Sequence, residues 1–325
     1  MDSITMNSIT INSNKIYCSL IVKEGFIVRE CYGGGFTKST KGNIFSVTKS
    51  FLSALIGIAI EKGYLGLQDA VSDYFPEFVS GPQEWFKDDI TIVNLLTMTS
   101  GIFCPTNAGF NRRMSQSDDE LNMLLRLPVN RKNIGKFIYN DANYNLLSNI
   151  LHQATQKTPL EFANEVLFAK MGIGNEVDGM GNLEWEADAK GVNYGGFGLK
   201  LSGRDLAKFG YLYIKQGIWS GQSLVPKEWI DLATSMKVLT TEKELYYGYG
   251  WWNCEVYGLK TYYAIGAGGQ YIICTPQLDL IQVYLCEKNS MASKEVEQMW
   301  KETIKDFKEQ KVDHGIYKSK ECIFT

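Results

Sequence analysis

The sequence predicts an α/β fold of the α+β kind: an antiparallel sheet flanked by helices, built from both termini, with a mostly helical domain inserted between. Three observations predict it. Strand-like runs occupy 16–23 and 26–31 and do not return until about residue 245. Between them the chain reads as helices and loops. Directly after the first strands comes a helix over 46–62 that is apolar on nearly every side, and such a helix is buried between layers of a large protein. The implied division is 1–64 with 237–325 for the sheet domain and 65–236 for the insert, with any site in the cleft between them.

Each element has its own signal. The first two strands are joined by Glu24-Gly25, a hairpin connection. The helix over 46–62 carries Phe51, Leu52, Leu55, Ile56 and Ile58 and stops at Gly63. Helical spacing then recurs over 92–99, 118–127, 143–155, 159–170, 203–216 and 226–235. Alternating or apolar runs over 249–255, 260–264, 270–275 and 280–286 read as strands, and an amphipathic helix over 292–310 closes the pattern.

Composition narrows the classes. The 325 residues are 45% hydrophobic and 21% charged, which is ordinary for a globular protein. A net charge of −3 with mixed signs gives no reason to expect a nucleic-acid or anionic-membrane partner. Seven scattered cysteines without a Cys-x-x-Cys pair indicate neither a disulfide framework nor a zinc site. No basic stretch with an apolar run opens the sequence, and the longest apolar run, 51–60, is too short to span a bilayer. The expectation is a soluble, cytoplasmic protein that acts on a small molecule and needs neither a metal nor an organic cofactor.

The two histidines, His152 and His314, sit in a helix and in a charged C-terminal stretch. They argue against a Ser-His-Asp triad or a histidine-rich metal site. No Gly-x-Ser-x-Gly elbow or Walker loop occurs. A hydrolase built from this chain needs another base, and Ser46-Val47-Thr48-Lys49 offers one. Residues three apart share a helix face, so Lys49 reaches the Ser46 hydroxyl. Burial favours the neutral amine, which can accept the serine proton. The Ser46 N–H at the helix start is unpaired and available to an oxyanion. The competing reading is an N-cap serine beside an exposed lysine.

The surrounding segments decide between them. SVTKS, GYLGLQDAVSDYFPEF, ITIVNLLTMTSGI, FIYNDANYNLLSNIL, GGFGLKLSGRDLAKFGYLYIKQGIWSGQSLVP, YGYGWW and AIGAGGQYIICTP stand in that order over roughly residues 16–290. Together they resemble the β-lactamase-related serine hydrolases: class C β-lactamases, D-Ala-D-Ala carboxypeptidases, esterases and 6-aminohexanoate-dimer hydrolases. The resemblance implies the β-lactamase/transpeptidase-like fold with Ser46 as nucleophile and Lys49 as its partner. Tyr139 stands at the tyrosine of the family's Tyr-x-Asn motif and is implied to shuttle a proton. Where asparagine is usual, Asp141 stands; facing Lys49, it would raise the lysine pKa and shift the burden of base towards Tyr139. The alternative is that Asp141 caps the helix beginning near Asn143.

The third motif, Lys-Thr-Gly or His-x-Gly in relatives, corresponds here to Gly266-Ala267-Gly268, followed by Gly269-Gln270. The resemblance implies Gly269 N–H as the second oxyanion donor, with Gly266, Gly268, Gln270, Asp141 and the loop residue Tyr194 lining the substrate. The competing reading of the glycines is a hairpin turn. Without the motif's lysine and threonine, an ester or neutral amide is a better expected substrate than a penicillin or D-Ala-D-Ala peptide. The expected function is therefore acyl transfer through Ser46. The alternatives are a weak β-lactamase or peptidase activity, and a non-catalytic binding or sensor domain on the same frame. Of Trp251 and Trp252, alternation sends one to the core and leaves the other for the site. Asp205 reads as a cap within its helix.

Overall fold

β1 (Ile16–Lys23) and β2 (Phe26–Tyr32) form the hairpin, turning through Glu24 and Gly25, both at positive φ as a tight two-residue turn requires. The computed structural model describes residues 15–76, 90–104, 109, 116–174, 183–288, 292–309 and 321–323. The N-terminal residues 1–14, part of the 65–90 segment, residue 310 and His314, on which some of the sequence readings fall, lie outside the described residues.

After the hairpin come β3 (Gly42–Asn43), a 3-10 turn over Phe45–Val47 and helix α1 (Thr48–Glu61). The helices α2 (Ile92–Leu96), α3 (Glu120–Leu125), α4 (Asp141–Thr155) and α5 (Pro159–Ala163) follow. From α5 the chain runs on through a π turn, Asn164–Phe168, to Met171. Next are β4 (Glu184–Trp185), β5 (Leu199–Leu201), α6 (Gly203–Ile214), β6 (Ile218–Trp219), β7 (Gln222–Ser223) and α7 (Lys227–Ala233). The chain ends with β8 (Val238–Leu239), β9 (Tyr246–Tyr247), β10 (Trp252–Val256), β11 (Leu259–Gly266), β12 (Gln270–Thr275), β13 (Leu280–Cys286) and α8 (Ala292–Lys308).

The main sheet has eight strands in the order β2-β1-β13-β12-β11-β10-β9-β8, all antiparallel. β1 joins β13, so the first and last strands of the chain meet in mid-sheet, as the sequence predicts. The central strands are buried on both faces because helices cover both. On one face Leu20, Ile272, Cys274, Ile281, Val283 and Leu285 join the core of α1 and α6. On the other, Ile21, Tyr271, Ile273, Leu280 and Tyr284 pack with Val296, Trp300, Ile304 and Phe307 of α8. The period of two sorts each strand between two cores.

α1 is buried from Thr48 to Ala59, in keeping with its all-round apolar sequence. Its Phe51 stacks on Phe209 of α6 at 3.8 Å between ring centroids. A Cβ on Gly57 would come within 2.3 Å of the Trp229 ring, so glycine lets α7 close onto α1. α6, read from sequence as part of the insert, lies on the sheet: a Cβ on its Gly210 would touch Ile281 and Ile272. Its apolar stripe of Leu206, Phe209, Gly210 and Tyr213 has the spacing that directs one face inward. Asp205 and Ser202 form its capping box, as the sequence suggests. The short strands β3 to β7 and the π turn carry too few residues for any periodicity to announce them. Among the described residues, no helix is long and apolar enough to cross a membrane.

Candidate active site

Ser46 is set by a strained approach. Phe45, just before it, has φ of +47°, a left-handed conformation costly for a bulky residue, and Asn43 Oδ1 holds its N–H at 2.8 Å. Ser46 therefore sits in the 3-10 turn ahead of α1 rather than in the helix proper, half-buried. Among the described residues nothing accepts a hydrogen bond from its N–H.

Lys49 lies one turn on and is 1% exposed. Its ammonium has three protons and three acceptors: Ser46 Oγ at 3.0 Å, Asp141 Oδ1 at 2.6 Å and the Gly196 carbonyl at 2.8 Å. The ring of Tyr139 stands 4.9 Å from Nζ. Burial would lower the lysine pKa, but the Asp141 carboxylate and the Tyr139 hydroxyl more than offset it, and the net direction is upward. The expectation that burial neutralises Lys49 is thus reversed: the amine is held as an ammonium. The capping alternative for Asp141 is also corrected. α4 begins at Asp141 itself, and the cap is Asn140, whose Oδ1 accepts from Asn143 N at 3.1 Å. Asp141 is left to face Lys49.

Residues 95–102 buttress this end of α4. Ser100 Oγ donates to Asn143 Oδ1 at 2.6 Å, Asn140 Nδ2 to the Ile102 carbonyl, and Tyr144 OH to the Leu96 carbonyl at 3.0 Å. The Leu-Leu-Thr-Met-Thr-Ser-Gly segment thereby fixes the helix start that carries Tyr139 and Asp141. Behind it, a Cβ on Gly195 would fall 2.0 Å from the Tyr144 carbonyl. That close approach brings the Gly196 carbonyl to Lys49, while Asn145 Oδ1 takes the Gly196 N–H at 2.9 Å. Tyr194 itself turns elsewhere: it is buried, stacks on Phe197, and donates to the buried Glu120 carboxyl at 2.8 Å. Its loop reaches the site through backbone, and its phenol is committed to Glu120.

The 266–270 turn closes the other side. A Cβ on Gly266 would lie 2.3 Å from the Ile44 carbonyl, so glycine is what lets β11 press against the segment before Ser46. Gly269 N–H is engaged with the Gly266 carbonyl at 3.2 Å, which spends the amide named from sequence as an oxyanion donor. The Ala267 N–H donates to nothing among the described residues. Gly268, at φ +84°, packs against the backbone of Glu287 and Lys288. Gln270, read as substrate-lining, is 1% exposed and fully occupied: Nε2 donates to Ala267 O and Cys286 O, and Oε1 accepts from Cys286 N. It clamps the turn. One cation does stand by this turn: Lys288 Nζ is 5.3 Å from the Phe45 ring.

The tryptophan pair divides as alternation requires. Trp251 is buried beside Phe209, Tyr213 and Tyr262, while Trp252 stacks on Tyr139 at 5.8 Å and 24°. Gly196 and Ala267 escaped the sequence reading because they act through backbone atoms; only their glycine-rich surroundings could have pointed to them. His152 hydrogen-bonds the Lys157 carbonyl at the far end of α4. Among the described residues no group of three or more His, Cys, Asp or Glu is placed to hold a metal.

The half-buried Ser46, the buried Lys49, a tyrosine ring over the lysine and a glycine-rich strand end against the segment before the serine thus stand together. Residues 20–300 match the Beta-lactamase family, and the chain belongs to it. It is similar to 6-aminohexanoate-dimer hydrolase of Paenarthrobacter ureafaciens, with 22% identity over 289 residues, 82% of this chain and 71% of that protein. A Bacillus anthracis structure provisionally described as a 6-aminohexanoate-dimer hydrolase superposes with a TM-score of 0.77 at 19% identity, covering 92% of this chain and 81% of that one. EstCE1, described as a hydrolase with promiscuous acyltransferase activity, does so at 0.71 and 17%, covering 89% and 92%.

Proposed function

We propose that this protein is a serine hydrolase that forms an acyl-enzyme on Ser46 from an ester or amide. The observation that carries the proposal is the arrangement of Lys49. With all three protons donated and its charge supported by Asp141, it is a hydrogen-bond donor to Ser46 Oγ, not an acceptor. The serine proton must then go to another group, and Tyr139 is the candidate beside the ammonium. Tyr139 relays the proton: its oxygen takes the Ser46 proton as its own hydroxyl proton passes to the leaving atom, so the phenol is neutral before and after. Ser46 Oγ attacks the carbonyl, the Ser46 and Ala267 amides receive the oxyanion, and the leaving group departs with the proton that Tyr139 relays. Water then releases the acyl group by the same route in reverse. Relatives described as a dimer hydrolase and as a hydrolase with acyltransferase activity are consistent with acyl transfer.

An ester or neutral amide remains the favoured substrate, because no lysine or threonine occupies 266–268. Lys288 favours a second reading, weak action on an anionic β-lactam or peptide, since its ammonium lies beside Phe45 and the oxyanion turn. Rapid-quench hydrolysis of p-nitrophenyl butyrate tests the main reading. A p-nitrophenol burst stoichiometric with enzyme supports it, and neither burst nor turnover for a panel of p-nitrophenyl esters overturns it in favour of a binding module. Incubation with benzylpenicillin tests the second, through a stable Ser46 adduct or β-lactam turnover.

A further inference from the structure

A cavity of about 170 Å³ is lined by Trp252, Tyr263, Tyr271, Trp300, Ile265, Leu245, Glu242 and Glu297. One of its walls belongs to the candidate active site, and another adjoins it in sequence. Trp252 is the ring stacked on Tyr139, and Ile265 directly precedes Gly266 on β11. The lining is unusual in its chemistry: four aromatic rings and two carboxylates, with no basic side chain among them. Burial raises the Tyr263 pKa, and Glu297 and Glu242 push it further in the same direction, so both carboxylates act on this one phenol. Glu242 makes no ion pair among the described residues. Glu297 is paired with Lys301, whose ammonium also stands 5.4 Å from the Trp300 ring; the rim already holds one alkylammonium by a carboxylate and an aromatic face.

We propose that this cavity is a leaving-group subsite for substrates whose departing alcohol or amine carries a positively charged end. The proposal rests on acyl transfer at Ser46, in which Tyr139 protonates the leaving group. A group departing beside Tyr139 extends towards Trp252, and from there into a space where aromatic faces and carboxylates favour a cation over a neutral group of equal shape. Atoms balance as in ordinary hydrolysis: the Ser46 Oγ–acyl bond forms, the ester C–O bond breaks, and the alcohol leaves with the Tyr139 hydroxyl proton, which the Ser46 proton replaces. The cation is bound and takes no part in the bond changes.

The test uses butyrate esters of ω-(trimethylammonio)alkanols with two to six methylenes, each paired with its isostere in which carbon replaces nitrogen. At the best spacer length, kcat/KM for the cationic ester is expected to exceed that of its isostere by about tenfold, the combined scale of a cation–π contact and two exposed carboxylates. Glu242→Gln with Glu297→Gln should reduce that ratio to about threefold, the part the aromatic faces supply, and leave p-nitrophenyl butyrate hydrolysis unchanged. Equal rates for cationic and neutral esters at every length, with p-nitrophenyl butyrate still hydrolysed, overturn the subsite and leave acyl transfer standing. If no ester is hydrolysed, acyl transfer is the part that fails. Tetramethylammonium binding, read by tryptophan fluorescence, then decides the cavity. Quenching in wild type that the double variant weakens retains a cation site, and no quenching, or quenching equal in both, overturns it.

Discussion

The two sides of the site are made of different material. At the start of α1 the groups are side chains: a hydroxyl, an ammonium and a carboxylate in one hydrogen-bonded cluster, with a tyrosine ring beside the ammonium. Across the cleft, the 266–270 turn contributes backbone alone, and its one long side chain, Gln270, is spent holding the turn in place. Side-chain chemistry can be read from residue types and spacing. Backbone chemistry depends on which amides the fold leaves unpaired, and that is set by hydrogen bonds formed at a distance.

Substitutions on the two sides should therefore fail differently. On the side-chain face, Ser46→Ala is expected to lower ester kcat by about 10³-fold or more and to cost about 1–3 kcal/mol of stability, since the buried Lys49 ammonium loses one of its three acceptors. Steady-state kinetics and thermal melting check both parts. Lys49→Met should abolish turnover and also destabilise, by about 3–5 kcal/mol, because it leaves Asp141 as a buried carboxylate without its cation. Urea unfolding measures that loss. Since the folded pKa of Lys49 is raised above its ordinary 10.5, the stability from its charge is complete below about pH 10.5 and is lost as pH climbs through the higher folded value. The wild-type advantage over Lys49→Met should be constant from pH 7 to 9 and shrink only at alkaline pH.

On the backbone face, Gly266→Ala is expected to cost about 10²-fold in kcat, the scale of losing one oxyanion donor, because the added Cβ meets the Ile44 carbonyl and pushes β11 away from Ser46. A normal circular dichroism spectrum with reduced kcat marks the displacement as local. Asp141→Asn sharpens the contrast by changing charge without changing shape. With the carboxylate gone, burial dominates and the Lys49 pKa falls, so the acidic limb of the pH–rate profile should move relative to wild type. Superimposable limbs would show that Asp141 does not set the lysine charge. Gln270→Leu should have the smallest effect, about tenfold in kcat, with about 1–3 kcal/mol of stability lost as the Cys286 and Ala267 groups lose their partner.

The same division explains what was legible beforehand. The sheet from both ends, the buried α1 and the Ser46–Lys49–Tyr139 set follow from periodicity and motif order. Asp141 was readable as the lysine's neighbour because it departs from a recognised pattern. The role of Gly196 was not, because a carbonyl has no residue type. The resemblance implied Gly269 as the donor, yet the turn closes on it and leaves Ala267 open instead. Tyr194 and Gln270 looked like lining residues because they flank site backbone; a buried glutamate and the Cys286 peptide groups claim their polar atoms.

The central claim is that Ser46 is a nucleophile. The most direct measurement is intact-mass and peptide mapping of the protein after reaction with a fluorophosphonate. The arrangement predicts one adduct per chain, on Ser46, absent from Ser46→Ala and strongly slowed in Tyr139→Phe. A folded protein that takes up no adduct, or takes it up on another residue at the same rate in Ser46→Ala, would contradict it.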